Sequence, residues 1–123
     1  AEAEGPSTMC VGAGSRRRLL AAAERHGARV FASGHAHRRW TDRAGGMDLV
    51  WAPAVGFVMG GPRPDIRVGT AEVGYVEHLL DGARATHRFV KPPTFEDIDM
   101  RPVLEQYKST VHLPPKPLPA GMG

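Results

Sequence analysis

Cysteine is nearly absent from this chain: Cys10 is the single one. One thiol excludes an internal disulfide framework and a multi-cysteine zinc module, and it reads as a small, buried or half-buried hydrophobe. Long apolar runs are missing too. None approaches the ~20 residues of a membrane-spanning helix, so the expectation is a soluble piece with no membrane partner. Aromatic residues make up only 7% of the chain. Exposed aromatics interleaved with basic residues, the pattern on which a single-strand binder stacks bases, do not occur. Also missing are a Gly-X-Y period, an internal repeat, a P-loop, a dinucleotide fingerprint and a Ser-His-Asp arrangement. What is present is 123 residues with 41% hydrophobic and 24% charged content. That suits one domain with a modest core and is too apolar for wholesale disorder.

Acidic residues are in slight deficit. Sixteen Lys and Arg face thirteen Asp and Glu, for a net charge of +3. The surplus is uneven, because residues 1–43 hold eight arginines against Glu2, Glu4, Glu24 and Asp42. A basic nucleic-acid-binding module resting on Arg16, Arg17, Arg18, Arg38 and Arg39 is therefore one reading. No recognisable nucleic-acid motif accompanies those arginines, and nucleic acid is not the expected partner. The chain starts at Ala1 with no initiator methionine, and Ala1 to Pro6 is neither a signal peptide nor a targeting sequence. A fragment is the expectation, with a cytoplasmic setting compatible with the lone thiol.

Ser15 to Gly27 predicts a helix, with Ser15 as N-cap, Ala and Leu of high propensity, and Gly27 at the left-handed C′ position. Leu19, Leu20 and Ala23 share one face. Arg16, Arg17 and Arg18 sit in the first turn against the helix dipole, either as a solvated face or as an attraction for an anion. Ala28 to Ser33 and Met47 to Ala52 read as strands, with Arg38 to Arg43 alternating loosely between them and Ala44-Gly45-Gly46 as a turn. Together they predict a hairpin with histidines at one end. Residues 54–60 suggest another short strand, and Gly60 to Pro64 a loop. Gly69 to Leu80 and Ala83 to Val90 predict a second hairpin around Asp81-Gly82. Pro102 to Tyr107 reads as one or two helical turns before an extended, proline-rich tail.

The expected fold class is α+β, with one main helix covering a face of a largely antiparallel, hairpin-rich sheet. Residues 1–97 form the domain portion, and residues 98–123 the helical turn and tail. Trp40, Trp51, Phe31 and Phe57 read as core or core-edge packing. His78 and His87 read as half-buried structural histidines, His26 as a surface group at a helix end, and Glu96, Asp97 and Asp99 as a solvated acidic loop.

Gly34-His35-Ala36-His37 carries the most chemistry. Two histidines two positions apart project to one side of an extended backbone. From there, imidazole nitrogens can reach a pair of ions ~3.5–4 Å apart. Gly34 lets the backbone turn sharply or approach a bound group, and a strand end running into a loop is where scaffolds place functional side chains. Two surface histidines on a hairpin are the plain alternative. Asp48, a lone carboxylate in the following strand, is either solvated or orients an imidazole from behind.

The run Val30-Phe31-Ala32-Ser33-Gly34-His35-Ala36-His37-Arg38 resembles the last metal-binding motif of the calcineurin-like metallophosphoesterases. Val50-Trp51-Ala52-Pro53-Ala54 with Phe57, and Val73-Gly74-Tyr75-Val76-Glu77-His78 before Asp81-Gly82, are similar to bacterial members. The likeness covers roughly residues 15 to 97. It implies a phosphoric ester hydrolase built as a four-layer αββα sandwich, of which this chain is the C-terminal portion. It also implies a phosphate-ester substrate and two divalent metal ions, with Mn, Fe or Zn all compatible. The histidine matching His35 binds one ion and the one matching His37 binds the other. Two such Lewis acids bind phosphate oxygens, lower the pKa of a bridging water and stabilise the charge of in-line displacement.

Arg38 and Arg39 are the nearest cations to hold the phosphate; their plain reading is exposed polar strand residues. The family also carries Asp-x-His, Gly-Asp, Asn-His and a further histidine before this motif; none of those motifs occurs in residues 1–33, where the one histidine, His26, reads as a surface group. The upstream N-terminal part of the same domain is therefore the implied partner, and the chain alone is expected to be inactive. A noncatalytic interaction scaffold of the same fold, its metal site lost, is the alternative. Separated from such an N-terminal half, the sheet is expected to expose an apolar face and to be prone to aggregation.

Overall fold

The computed structural model describes residues 11–60 and 66–110. The expectations for Cys10, for most of the Gly60 to Pro64 loop, for His112 and for the proline-rich tail lie outside the described residues.

The first helix, α1, spans Ala13–Arg25 and is capped by Gly12. Ser15 is thus inside the helix and does not cap it. The Arg16 N–H makes the first intrahelical bond, to the Gly12 carbonyl at 2.9 Å. This earlier start moves Arg16 to Arg18 beyond the first turn, where the unfavourable dipole interaction fades. The far end behaves as the sequence predicts. Gly27 adopts φ 69°, its N–H bonds Glu24 at 3.0 Å, and the Ala28 N–H bonds Ala23 at 2.9 Å. Those two bonds form a Schellman cap. The predicted cover of a sheet face is not realised: α1 buries no side chain, and Leu19 is 45% exposed.

Strands β1 (Val30–Ser33), β2 (Trp40–Ala44) and β3 (Met47–Trp51) form one sheet in the order β1-β3-β2. The hairpin is β2–β3, closed by Gly45-Gly46 with Ala44 opposite Met47. β1 pairs with β3 in parallel, Val30 opposite Asp48 and Ser33 opposite Trp51, and so does not form the hairpin partner that the sequence suggests. Val50, the fourth of the five residues of β3, is fully buried. Strands β4 (Tyr75–Asp81) and β5 (Arg84–Val90) form a separate antiparallel hairpin. Its turn falls on Gly82-Ala83, one residue later than expected, with a positive φ at Gly82 but not at Ala83. That sign pattern belongs to a type II′ turn. The architecture is therefore mixed α+β with small, antiparallel-rich sheets.

Residues 54–60 form no strand. They attach through Val58, whose N–H bonds the Ile98 carbonyl at 2.9 Å and whose carbonyl accepts the Met100 N–H at 3.1 Å. The acidic segment is structural and not merely solvated. Asp97 accepts the N–H of fully buried Val73 at 2.8 Å and the Lys91 ammonium at 2.6 Å. Asp99 accepts the Arg101 N–H at 3.0 Å and its guanidinium, opening α2 (Arg101–Thr110), which is longer than the one or two turns predicted. The buried hydrophobic set is small: Ala36, Met47, Val50, Val58, Ile66 and Val73. Among the described residues, ten large hydrophobic side chains remain exposed, including Leu79 at 65% and Leu80 at 71%.

The Arg101 guanidinium holds the Asp99 carboxyl at about 2, well below its ordinary value, and the Lys91 hydrogen bond, then that from Val73, lowers Asp97 in the same direction. A carboxyl whose folded value lies below its unfolded one stabilises fully above the unfolded value, near 4. The contribution disappears as pH falls through the folded value. Acidification from about pH 4 to about pH 2 should therefore loosen the start of α2 and the Val58 attachment, with the Asp99 carboxyl titrating near 2 by carbon-13 NMR. A midpoint near the ordinary aspartate value would remove the Asp99–Arg101 pairing. In the core, Val50→Ala should cost about 2 kcal/mol by denaturant titration, from two lost methyls and the void they leave.

Candidate functional site

The Gly34–His37 loop runs between two backbone anchors. On one side the Ala52 N–H bonds the Ser33 carbonyl at 2.8 Å, extending the β1–β3 pairing to the last residue before the loop. On the other, Arg39 and Thr70 exchange both backbone bonds, at 2.9 and 3.0 Å. Gly69 makes that second anchor possible. It has φ 83°, and a Cβ there would lie 2.9 Å from the Arg39 carbonyl, a separation no side-chain-bearing residue tolerates.

Within this frame the backbone is not extended. His35 has φ 73° and His37 has φ 52°, the two positive-φ residues other than glycine among those described. The two-residue alternation that would aim both rings to one side therefore does not apply. The left-handed bends fall on the histidines and not on Gly34, where a Cβ would meet only the Ala52 carbonyl at 4.0 Å. A non-glycine residue in this region costs on the order of 1 kcal/mol or more, and such residues gather at functional sites. Two within three positions form a concentrated strain, held between the buried Ala36 and the two anchors.

His35 is exposed and His37 is half-buried. The His37 ring packs on Phe57, centroids 4.7 Å apart at 40°, and its Nδ1 lies 3.3 Å from the Phe57 carbonyl. A carbonyl oxygen only accepts, so Nδ1 is the protonated nitrogen and Nε2 of the neutral ring keeps its lone pair. An imidazole arranged in this way is oriented as a metal ligand, its far nitrogen tied to an acceptor. Phe57 itself is held by its neighbour Val58, which is bonded on both sides to residues 98–100. In the sequence Phe57 reads only as packing. It stands twenty positions from His37, and no local pattern signals that its carbonyl fixes a tautomer.

The other candidates are drawn elsewhere. The Arg39 guanidinium pairs with Glu72 at 2.6 Å and lies 4.5 Å over the Phe89 ring. Arg38 donates to the Gly69 carbonyl at 2.9 Å. Both arginines thus brace the loop's exit. Asp48 sits at the opposite end of β3 from Trp51, three residues or about 10 Å away along the strand. It does orient an imidazole, but the ring is that of His87, at 3.1 Å. His78 is exposed and His87 intermediate, so only the second fits the half-buried description. Among the described residues, no group of three or more His, Cys, Asp or Glu side chains stands close enough together to hold a metal. The loop therefore contributes two imidazoles that belong to no such group among those residues.

Comparison of the chain with protein-family models, curated proteins and solved structures gives no match.

If the left-handed backbone at His35 is built into the loop, His35→Gly should be about 1 kcal/mol more stable than His35→Ala, since glycine alone accepts that φ freely. Denaturant titration of the two variants, which both lack the imidazole, checks this. Equal midpoints would remove the strain.

Proposed function

We propose that this chain contributes the last two histidine ligands of a calcineurin-like metallophosphoesterase, an enzyme that hydrolyses phosphate esters at a two-metal centre. In this reading, the α+β unit is the C-terminal portion of a four-layer αββα sandwich. The observation that carries the reading is the strained Gly34-His35-Ala36-His37 loop, whose His37 presents Nε2 because the Phe57 carbonyl occupies Nδ1. When bound, two divalent ions such as Mn, Fe or Zn supply Lewis acidity to phosphate oxygens and to a water. His35 offers an exposed imidazole, and His37 offers one already oriented, so little ordering remains for the latter when it binds. Arg38 and Arg39 hold the loop's exit against Gly69, Thr70 and Glu72 and act as bracing groups for the histidines.

Two neutral imidazoles do not offset the charge of two dications. The missing carboxylate ligands are assigned to an N-terminal part of the same domain, and the chain alone is inactive. The test is a phosphatase assay of the chain joined to its natural upstream sequence, with para-nitrophenyl phosphate and its bis ester as substrates and Mn2+ supplied. Activity should be abolished by a chelator and lowered at least ~100-fold by His37→Ala. Hydrolysis that survives in a His35→Ala, His37→Ala double variant would overturn the assignment. Absence of both hydrolysis and stoichiometric divalent metal would also overturn it, leaving the noncatalytic scaffold.

A further inference from the structure

A second set of imidazoles lies at the far end of the three-stranded sheet. His78 and His87 are directly opposed across the β4–β5 hairpin. Their Nδ1 atoms approach to 2.7 Å, and the rings stand edge to face at 74° with centroids 4.9 Å apart. Two bare lone pairs repel at that separation, so something positive must lie between them: a proton or a cation. The other nitrogen of His87 decides what the pair can offer. Nε2 lies 3.1 Å from the Asp48 carboxylate, which only accepts, so Nε2 carries a proton and, in the neutral ring, Nδ1 keeps its lone pair toward His78. Asp48 is in turn fixed by the Arg43 guanidinium at 3.1 Å. This is the carboxylate–histidine arrangement that orients an imidazole for a metal and raises its basicity.

We propose that His78 and His87 form a bis-imidazole site for a borderline transition-metal dication, with Zn2+ as the reference ion and water filling the remaining positions. The proposal uses neither His35 nor His37 and stands independently of the phosphoesterase reading. In the hydrogen-bonded state His78 donates from Nδ1 to His87. On metal binding its proton sits on Nε2 instead, so that both Nδ1 lone pairs face the ion. Tetrahedral coordination at metal–nitrogen lengths of about 2.0–2.1 Å needs the two nitrogens ~3.3 Å apart, a modest opening from the present 2.7 Å. The two rings divide the work. The His87 side chain is only 10% exposed and anchored by Asp48, while His78 is exposed on β4 and free to make the small withdrawal. Imidazole nitrogens suit Zn2+, Cu2+ and Ni2+, and not the hard cations that prefer oxygen. Because Asp48 belongs to β3 and His87 to β5, the site also ties the hairpin to the three-stranded sheet.

The experiment is calorimetric titration of Zn2+ into the full chain carrying His35→Ala and His37→Ala, which silences the other imidazole pair. One equivalent should bind, and adding His78→Ala should abolish it; His78 is exposed, so this variant keeps its fold. The same His78→Ala comparison in the otherwise unaltered chain should remove the same equivalent. Nitrogen-15 spectra of the histidine side chains should show protonated Nε2 on His87 before metal and zinc-induced shifts at Nδ1 of both rings. Asp48→Asn should lower the affinity about tenfold or more and disturb the His87 tautomer. Failure to take up Zn2+, or uptake that His78→Ala leaves unchanged, would overturn the proposal.

Discussion

β3 is the one strand among those described that is paired on both edges, and the candidate site depends on that constraint. Its parallel bonds to β1 bring Ser33 beside Trp51 and Ala52, so the chain leaves β1 at a defined point and enters the histidine loop there. Its antiparallel bonds to β2 return the chain through Arg39 and Trp40. Val50 lies at the middle of this arrangement, fully buried. The rest of the core is small, so the loop is held less by bulk burial than by backbone hydrogen bonds at both of its ends. Orphaned backbone groups are costly, which makes such a frame rigid even where few large side chains pack.

That rigidity explains how two left-handed histidines persist. Each prefers another conformation by on the order of 1 kcal/mol, and only anchors such as the Arg39–Thr70 exchange and the Val58 attachment can over-determine them. His37 and His87 share one device. Each has an acceptor at one ring nitrogen that fixes its tautomer: the Phe57 carbonyl for His37 and the Asp48 carboxylate for His87. His37 is placed for this by a strained loop, and His87, opposite His78, by strand register across a hairpin.

The apolar surface left uncovered has a structural cause. β4 has one half-buried residue, Val76, and six exposed ones, and residues 101–109 of α2 are exposed throughout. Leu79, Leu80, Val103, Leu104 and Tyr107 consequently face solvent, as does Leu19 on α1. Leu79 and Leu80 are neighbours in β4 and so lie on opposite faces of the hairpin. α1, expected to cover a sheet face, buries no side chain: Ala21 to Ala23 add little bulk and arginines occupy much of its remaining surface.

Features with local causes were legible in the sequence alone. Gly27 ends α1 because it takes the left-handed φ of a Schellman cap, and Gly45 and Gly82 mark the two hairpins for a related reason. The Gly-His-Ala-His segment likewise stands out in the sequence, though not the conformation that strains it. Tertiary structure alone decided that β1 runs parallel to β3, that Asp48 serves His87 and not the loop histidines, that Arg39 is drawn to Glu72, and that Phe57 sets the tautomer of His37. These pairings join residues 18 to 39 positions apart. Helical and strand periodicities carry information over a few residues, and only the pairing of strands and of loop backbones brings such distant side chains together.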